Sequence, residues 1–83
     1  MMNIKKKLTL DQPANYQIKV LGHFDESWSD WAGGMMITIG SDDNGLPFST
    51  LTGQVDQAAL HGLLRRFYSL GVPLISVICV EFN

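Results

Sequence analysis

Apolar and polar side chains alternate with period two from Tyr16 to Phe24. Tyr16, Ile18, Val20 and Phe24 fall on one side; Gln17, Lys19, Leu21 and His23 fall on the other. This predicts a strand with one face on a core. The pattern breaks at Asp25-Glu26-Ser27-Trp28-Ser29-Asp30-Trp31-Ala32-Gly33-Gly34, where Asp25 can cap one helical turn and the glycine pair ends it. Alternation returns at Met35, Ile37 and Ile39, a second strand. Asp42-Asp43-Asn44-Gly45 then turns the chain, with Asn-Gly supplying the positive φ angles of a tight hairpin. Phe48–Val55, rich in threonine, is a third strand that starts no earlier than Pro47 allows.

From Asp56 the period changes to that of a helix. Leu60, Leu63, Leu64 and Phe67 recur at i, i+3, i+4 and i+7. Asp56 is placed to cap the N-terminus, with Val55 and Leu60 at the staple positions. Gly71 is a natural residue just past the C-terminus, and Pro73 prevents continuation. The last segment, Leu74–Phe82, is apolar on both sides: Leu74, Ile78, Val80 and Phe82 on one, Ile75, Val77 and Cys79 on the other.

These elements predict an α+β domain over residues 16–83, preceded by an N-terminal arm, 1–15. The expected architecture is a four-stranded, mostly antiparallel sheet, β-β-β-α-β in order 3-2-1-4, with one long helix on one face. The crossover through the helix makes the third and fourth strands parallel. A ferredoxin-like fold with a stunted first helix is the alternative. One helix covers one sheet face, which leaves Leu21, Met36, Leu51, Ile75, Val77 and Cys79 without cover from their own chain. Exposed apolar patches of that kind mark association surfaces. A homo-oligomer is therefore expected, through the open face or by edge pairing of the last strands. Folding the N-terminal arm across the sheet is the competing way to hide it.

Charge narrows the partners. The chain carries six Lys and Arg against eight Asp and Glu, a net −2, but Lys5, Lys6 and Lys7 lie in the arm. From Tyr16 onward three cations (Lys19, Arg65, Arg66) face seven acidic residues. No basic face is available for phosphate contact, which argues against nucleic acid. The single cysteine, Cys79, allows no intrachain disulfide. Leu8-Thr9-Leu10 runs into Asp11-Gln12-Pro13, so neither a signal peptide nor a membrane span is expected, and the expected location is the cytoplasm.

Candidate chemistry concentrates at the tryptophan turn. Trp28 and Trp31, three residues apart, share a face on one helical turn; with Phe24 they can wall a pocket or plug the core. Asp25, Glu26 and Asp30 ring it with acid, suited to a cationic or hydroxylated ligand. His23 and Asp25 form an H-x-D pair, and a metal there needs a third ligand such as His61. The familiar metal spacings are absent, so no metal and no cofactor is expected. Cys79 has no basic neighbour in sequence to stabilise a thiolate and reads as structural.

Gly22-His23, Trp28-Ser29-Asp30-Trp31, Gly33-Gly34, Leu51-Thr52-Gly53, Asp56-Gln57-Ala58-Ala59-Leu60-His61-Gly62-Leu63 and Leu74-Ile75-Ser76-Val77 together resemble a family of short bacterial proteins of unknown function. The similarity runs from Tyr16 to about Val80, and Ala32 stands where it implies a large apolar residue. Leu60–Val77 is also similar, at the level of fold, to ACT-type regulatory domains, an analogy that carries no function. The expected role is a non-enzymatic, self-associating binding or regulatory module. It would recognise a protein or small ligand near His23, Asp25, Trp28, Asp30, Trp31 and His61. The alternative is a small oligomeric enzyme with an acid–base site at a subunit interface, built on His23, Asp25 and His61.

Overall fold

The computed structural model describes residues 8–25, Trp28 and residues 32–82. The lysines of the arm, Glu26, Asp30 and Trp31 lie outside the described residues. The elements are β1 (Ala14–Leu21), β2 (Met36–Ser41), β3 (Pro47–Val55), α1 (Gln57–Ser69) and β4 (Leu74–Phe82). The β-β-β-α-β order and the single long helix agree with the pattern of the sequence. Each adjacent strand pair is antiparallel. Because β3 and β4 both run antiparallel to β1, they are parallel to one another, as the helical crossover requires.

The strand order is β2-β3-β1-β4 rather than 3-2-1-4. Fourteen residues, 22–35, separate β1 from β2. That is too long for a hairpin, so nothing local holds those two strands together. The tight β2–β3 connection carries β2 to the outside, and β3 pairs with β1 from Ala14↔Val55 to Leu21↔Phe48. The hairpin itself also differs. Gly45 has φ +81°, but no described non-glycine residue has positive φ, so Asn44 does not share that conformation. Gly45 N–H donates to Asp42 O at 2.9 Å and Asp42 N–H to Leu46 O at 2.9 Å, while Asp42 Oδ1 accepts from the N–H groups of Asn44 and Leu46. This is a three-residue loop closed by a left-handed glycine, and the aspartate does the pinning.

Helix α1 is bounded as its flanking residues predict. Asp56 Oδ1 accepts from Ala59 N–H at 2.8 Å. Gly71, at φ +75°, donates to Tyr68 O, and Val72 donates to Phe67 O, the paired C-terminal closure that a left-handed glycine permits. Asp56→Ala removes the acceptor of the Ala59 N–H and is expected to cost about 1 kcal/mol by urea denaturation. Leu60, Leu63 and Phe67 are buried on Tyr16, Ile18, Val20, Ile37 and Leu51, while Leu64 packs at the margin of that core. The first turn is tied to the start of β1: Gln57 N–H donates to Leu10 O, and Gln57 Nε2 donates to Tyr16 Oη. The described part of the arm thus reaches the helix N-terminus.

Register corrects the proposed open face. Ile37, Leu51, Ile18 and Val77 form one row across the four strands on the helix side. Leu51 is therefore a core residue, 1% exposed, and not an interface candidate. Val77 and Cys79 also face the helix side, opposite Ile18 and Tyr16, and Cys79 packs on the core of its own chain. The cause is β-bulging. Val20 pairs with Leu74 but Lys19 with Ser76, and Asn15 pairs with Glu81 but Tyr16 with Cys79. Ile75 and Val80 are thus extra residues in β4, and the first reverses the side on which the side chains of Ser76–Cys79 fall. The helix-free side carries Met36, Thr52, Gln17 and Ile78 in one row, then Thr38, Thr50, Lys19 and Ser76, then Gly40, Phe48 and Leu21. Its centre is polar, compatible with water on an antiparallel sheet. Phe48 lies across the strand from Gly40, where an added Cβ would meet ring carbon Cζ at 2.8 Å, and Lys19 Nζ sits 4.6 Å from the ring centroid.

Candidate functional site

The candidate site begins where β1 ends. Gly22 takes φ +116°, which lets the chain turn off the sheet. Its N–H donates to Pro47 O, and Leu21 N–H donates to Pro73 O, so the ends of three strands are joined there. Ser49, fully buried on β3, fixes the next two residues. Its Oγ donates to Gly22 O at 2.8 Å and accepts from Phe24 N–H at 2.9 Å. The Phe24 ring is thereby held over the helix, 5.9 Å from Phe67 in an edge-on contact. Trp28 stands perpendicular to Phe24 at 5.0 Å between centroids. Trp28 N–H donates to Asp25 O, and Ala32 N–H to Trp28 O; Gly33 and Gly34 then take positive φ. The expected turn, with its aspartate start and glycine end, is present at these positions.

Trp28 is half-buried and packs against the hydrophobic core. It extends the core toward the loop and stays partly accessible. His23 and Asp25 are exposed beside it. His61 is exposed on the helix, six residues and about 9 Å of helix before the Phe67 that Phe24 touches. Among the described residues no group of three His, Cys, Asp or Glu is placed to hold a metal ion.

A cleft of about 240 Å³ lies between the 32–33 turn and one flank of α1, lined by Ala32, Gly33, Val55, Ala59, Gly62, Leu63 and Arg66. Ala32 and Gly33 leave this space because neither has a side chain long enough to fill it. A second, shallower groove of about 480 Å³ continues over Gly62, Arg65, Arg66, Ser69 and Leu70. His23, Asp25, Trp28 and His61 line neither. Gly62 is shared by both, and a Cβ added there would meet nothing within 4 Å. Gly62→Ala is therefore expected to stabilise the chain by about 1 kcal/mol in thermal or urea unfolding, the ordinary helix preference with no steric penalty.

The other flank of α1 was less legible in the sequence. Residues 59, 62 and 66 lie to one side of the buried stripe, and residues 61, 64 and 68 to the other. The first flank faces the turn that leads into β2, at one edge of the sheet. The second therefore lies toward β4, at the opposite edge. Tyr68 stands there 85% exposed, one turn after Leu64. The signal for it was the Leu64–Tyr68 pair at i, i+4, which widens the apolar stripe on one side only. Leu74, Ile75, Val77, Ile78 and Val80 of β4 are all exposed as well.

A family model described as a domain of unknown function (DUF8691) matches residues 15–78. No curated protein and no solved structure matches the chain.

Proposed function

The chain belongs to that family of unknown function, so its role has to be drawn from its own geometry, and we propose that it is a non-enzymatic, self-associating binding module. The observation that carries this reading is β4, an edge strand whose apolar side chains are exposed on both faces of the sheet. Fully burying an aliphatic side chain is worth roughly 1.5–3 kcal/mol. Five such side chains on β4, each about half-exposed, offer about 4–7 kcal/mol per copy when covered. Two copies together offer about 8–15 kcal/mol, against an association cost of about 4–15 kcal/mol. The two ranges overlap, so covering these side chains is enough to offset the cost of association.

The recognition site of this module is the loop end of the molecule, where His23 and Asp25 are exposed beside the half-buried Trp28. A hydroxylated or cationic small molecule, or a partner protein, would meet the partly accessible Trp28 there; Asp30 and Trp31 belong to the same proposal from the sequence. Equilibrium sedimentation across the micromolar range tests the association: a concentration-dependent dimer is expected, and a monomer throughout overturns it. Quenching of tryptophan fluorescence against a panel of small metabolites tests the loop, with loss of the response in Trp28→Phe as the expected result.

A further inference from the structure

β4 is an outer strand of the sheet formed by the described residues, and we infer that its outer edge is the self-pairing surface. Two copies join β4 to β4 antiparallel, about a two-fold axis normal to the sheet, and the Leu64–Tyr68 flanks of the two helices close over the seam. This rests on the self-association reading and names its surface and geometry.

The two edges of the sheet are unequal. β2 is six residues long, contains Gly40 and runs into Asp42-Asp43. Short edges and charge discourage strand addition. β4 is nine residues long, without Lys, Arg, Gly or Pro, and Glu81 is its one charged residue. Its bulges at Ile75 and Val80 bracket a regular stretch, Ser76–Cys79, in which Val77 and Ile78 are exposed. In an antiparallel pair, residues directly opposite share a face. Pairing centred on Ile78 sets Ile78 against its own copy on the helix-free side and Val77 against Cys79 on the helix side. Glu81 then stands opposite Ile75, away from its own copy.

A second copy fits this edge better than a lone peptide strand. Val77 points toward the helix layer yet is 36% exposed, whereas Ile18, its partner on β1, is fully buried. Cover from the helix layer is complete over β1 in this row and partial over β4. An isolated added strand would leave that gap open. A copy related by an axis normal to the sheet keeps both helices on the same side and brings a second Leu64–Tyr68 flank to the gap, which also accounts for a tyrosine left 85% exposed. Size is adequate too. β4 is about 31 Å long, and the smallest extent of the molecule is 19 Å. A strip of those dimensions is about 600 Å² per copy, or about 1,200 Å² in total, the lower bound for a specific interface.

The test compares the full chain with Ile78→Lys, Tyr68→Ala and Met36→Lys by equilibrium sedimentation, with circular dichroism as the check on folding. All three side chains are exposed. Ile78→Lys places like charges at the axis, and it should weaken the dimer at least about tenfold. Tyr68→Ala should weaken it in the same direction, while Met36→Lys, on the helix-free face beside the other edge, should leave it unchanged. Amide hydrogen exchange of the unsubstituted chain gives a readout free of any mutation: protection across Ser76–Cys79 should rise with protein concentration. A dimer lost in Met36→Lys but kept in Ile78→Lys, with β4 amides indifferent to concentration, overturns edge pairing and leaves self-association standing through the sheet face. A chain that stays monomeric overturns both.

Discussion

Ser49→Ala is expected to destabilise the protein by about 2–6 kcal/mol, although it removes a single oxygen atom. The hydroxyl is 0% exposed and holds two backbone groups of another segment, Gly22 O and Phe24 N–H. A side-chain bond lost outright costs little; a donor and an acceptor left without partners in a part-buried setting cost about 1–3 kcal/mol each. Against a total stability of about 4–12 kcal/mol for a chain of this length, that is a large share. The loss should also be visible locally. Phe24 is fixed through its own N–H, and Trp28 packs on Phe24, so tryptophan emission should shift to the red before global unfolding begins. A loss below about 0.5 kcal/mol, the size of an ordinary surface substitution, would mean that the loop is held by something other than Ser49.

Leu51→Ala should cost about 2–5 kcal/mol, the usual range for deleting a packed aliphatic side chain, without changing the state of association. Leu51 stands between Ile37 on one side and Ile18 on the other, in the row that meets the helix. Its neighbours are held by strand pairing and cannot collapse far into the space, which puts the cost in the upper half of that range. Met36→Ala, one residue before Ile37 on the opposite face, should change stability by no more than about 0.5 kcal/mol. If the two results were exchanged, the register of β2 and β3 would be off by one residue.

How far the sequence foretold this molecule follows the range of the interactions involved. Helix α1 was legible because Asp56, the Leu60–Phe67 stripe and Gly71 act within a few residues of the elements they define. The inward face of β1 was legible for the same reason. Strand order was not, because the adjacency of β1 and β3 is set by contacts between residues about 30 to 40 positions apart, which alternation cannot encode. The sides of β4 were misread because a bulge leaves no mark in a strand that is apolar at nearly every position. Ile39 has the inward parity that the pattern assigns but is exposed, whereas Ile37, two residues earlier on the same outer strand, is buried. At the candidate site the tryptophan turn was visible from its residues. What could not be seen was that a threonine- and serine-rich strand supplies the hydroxyl that positions it.

The position of β1 has a consequence for how the chain reaches this state. It comes first of the five elements, yet it is bordered by the third and the last. A ribosome delivering the elements in turn releases β1 to β3 well before β4 exists. Until then one side of β1 offers Tyr16-Gln17-Ile18-Lys19-Val20 to any passing extended segment. Completion of the sheet thus waits for β4, and a chain still lacking that strand leaves one side of β1 open to misplaced pairing.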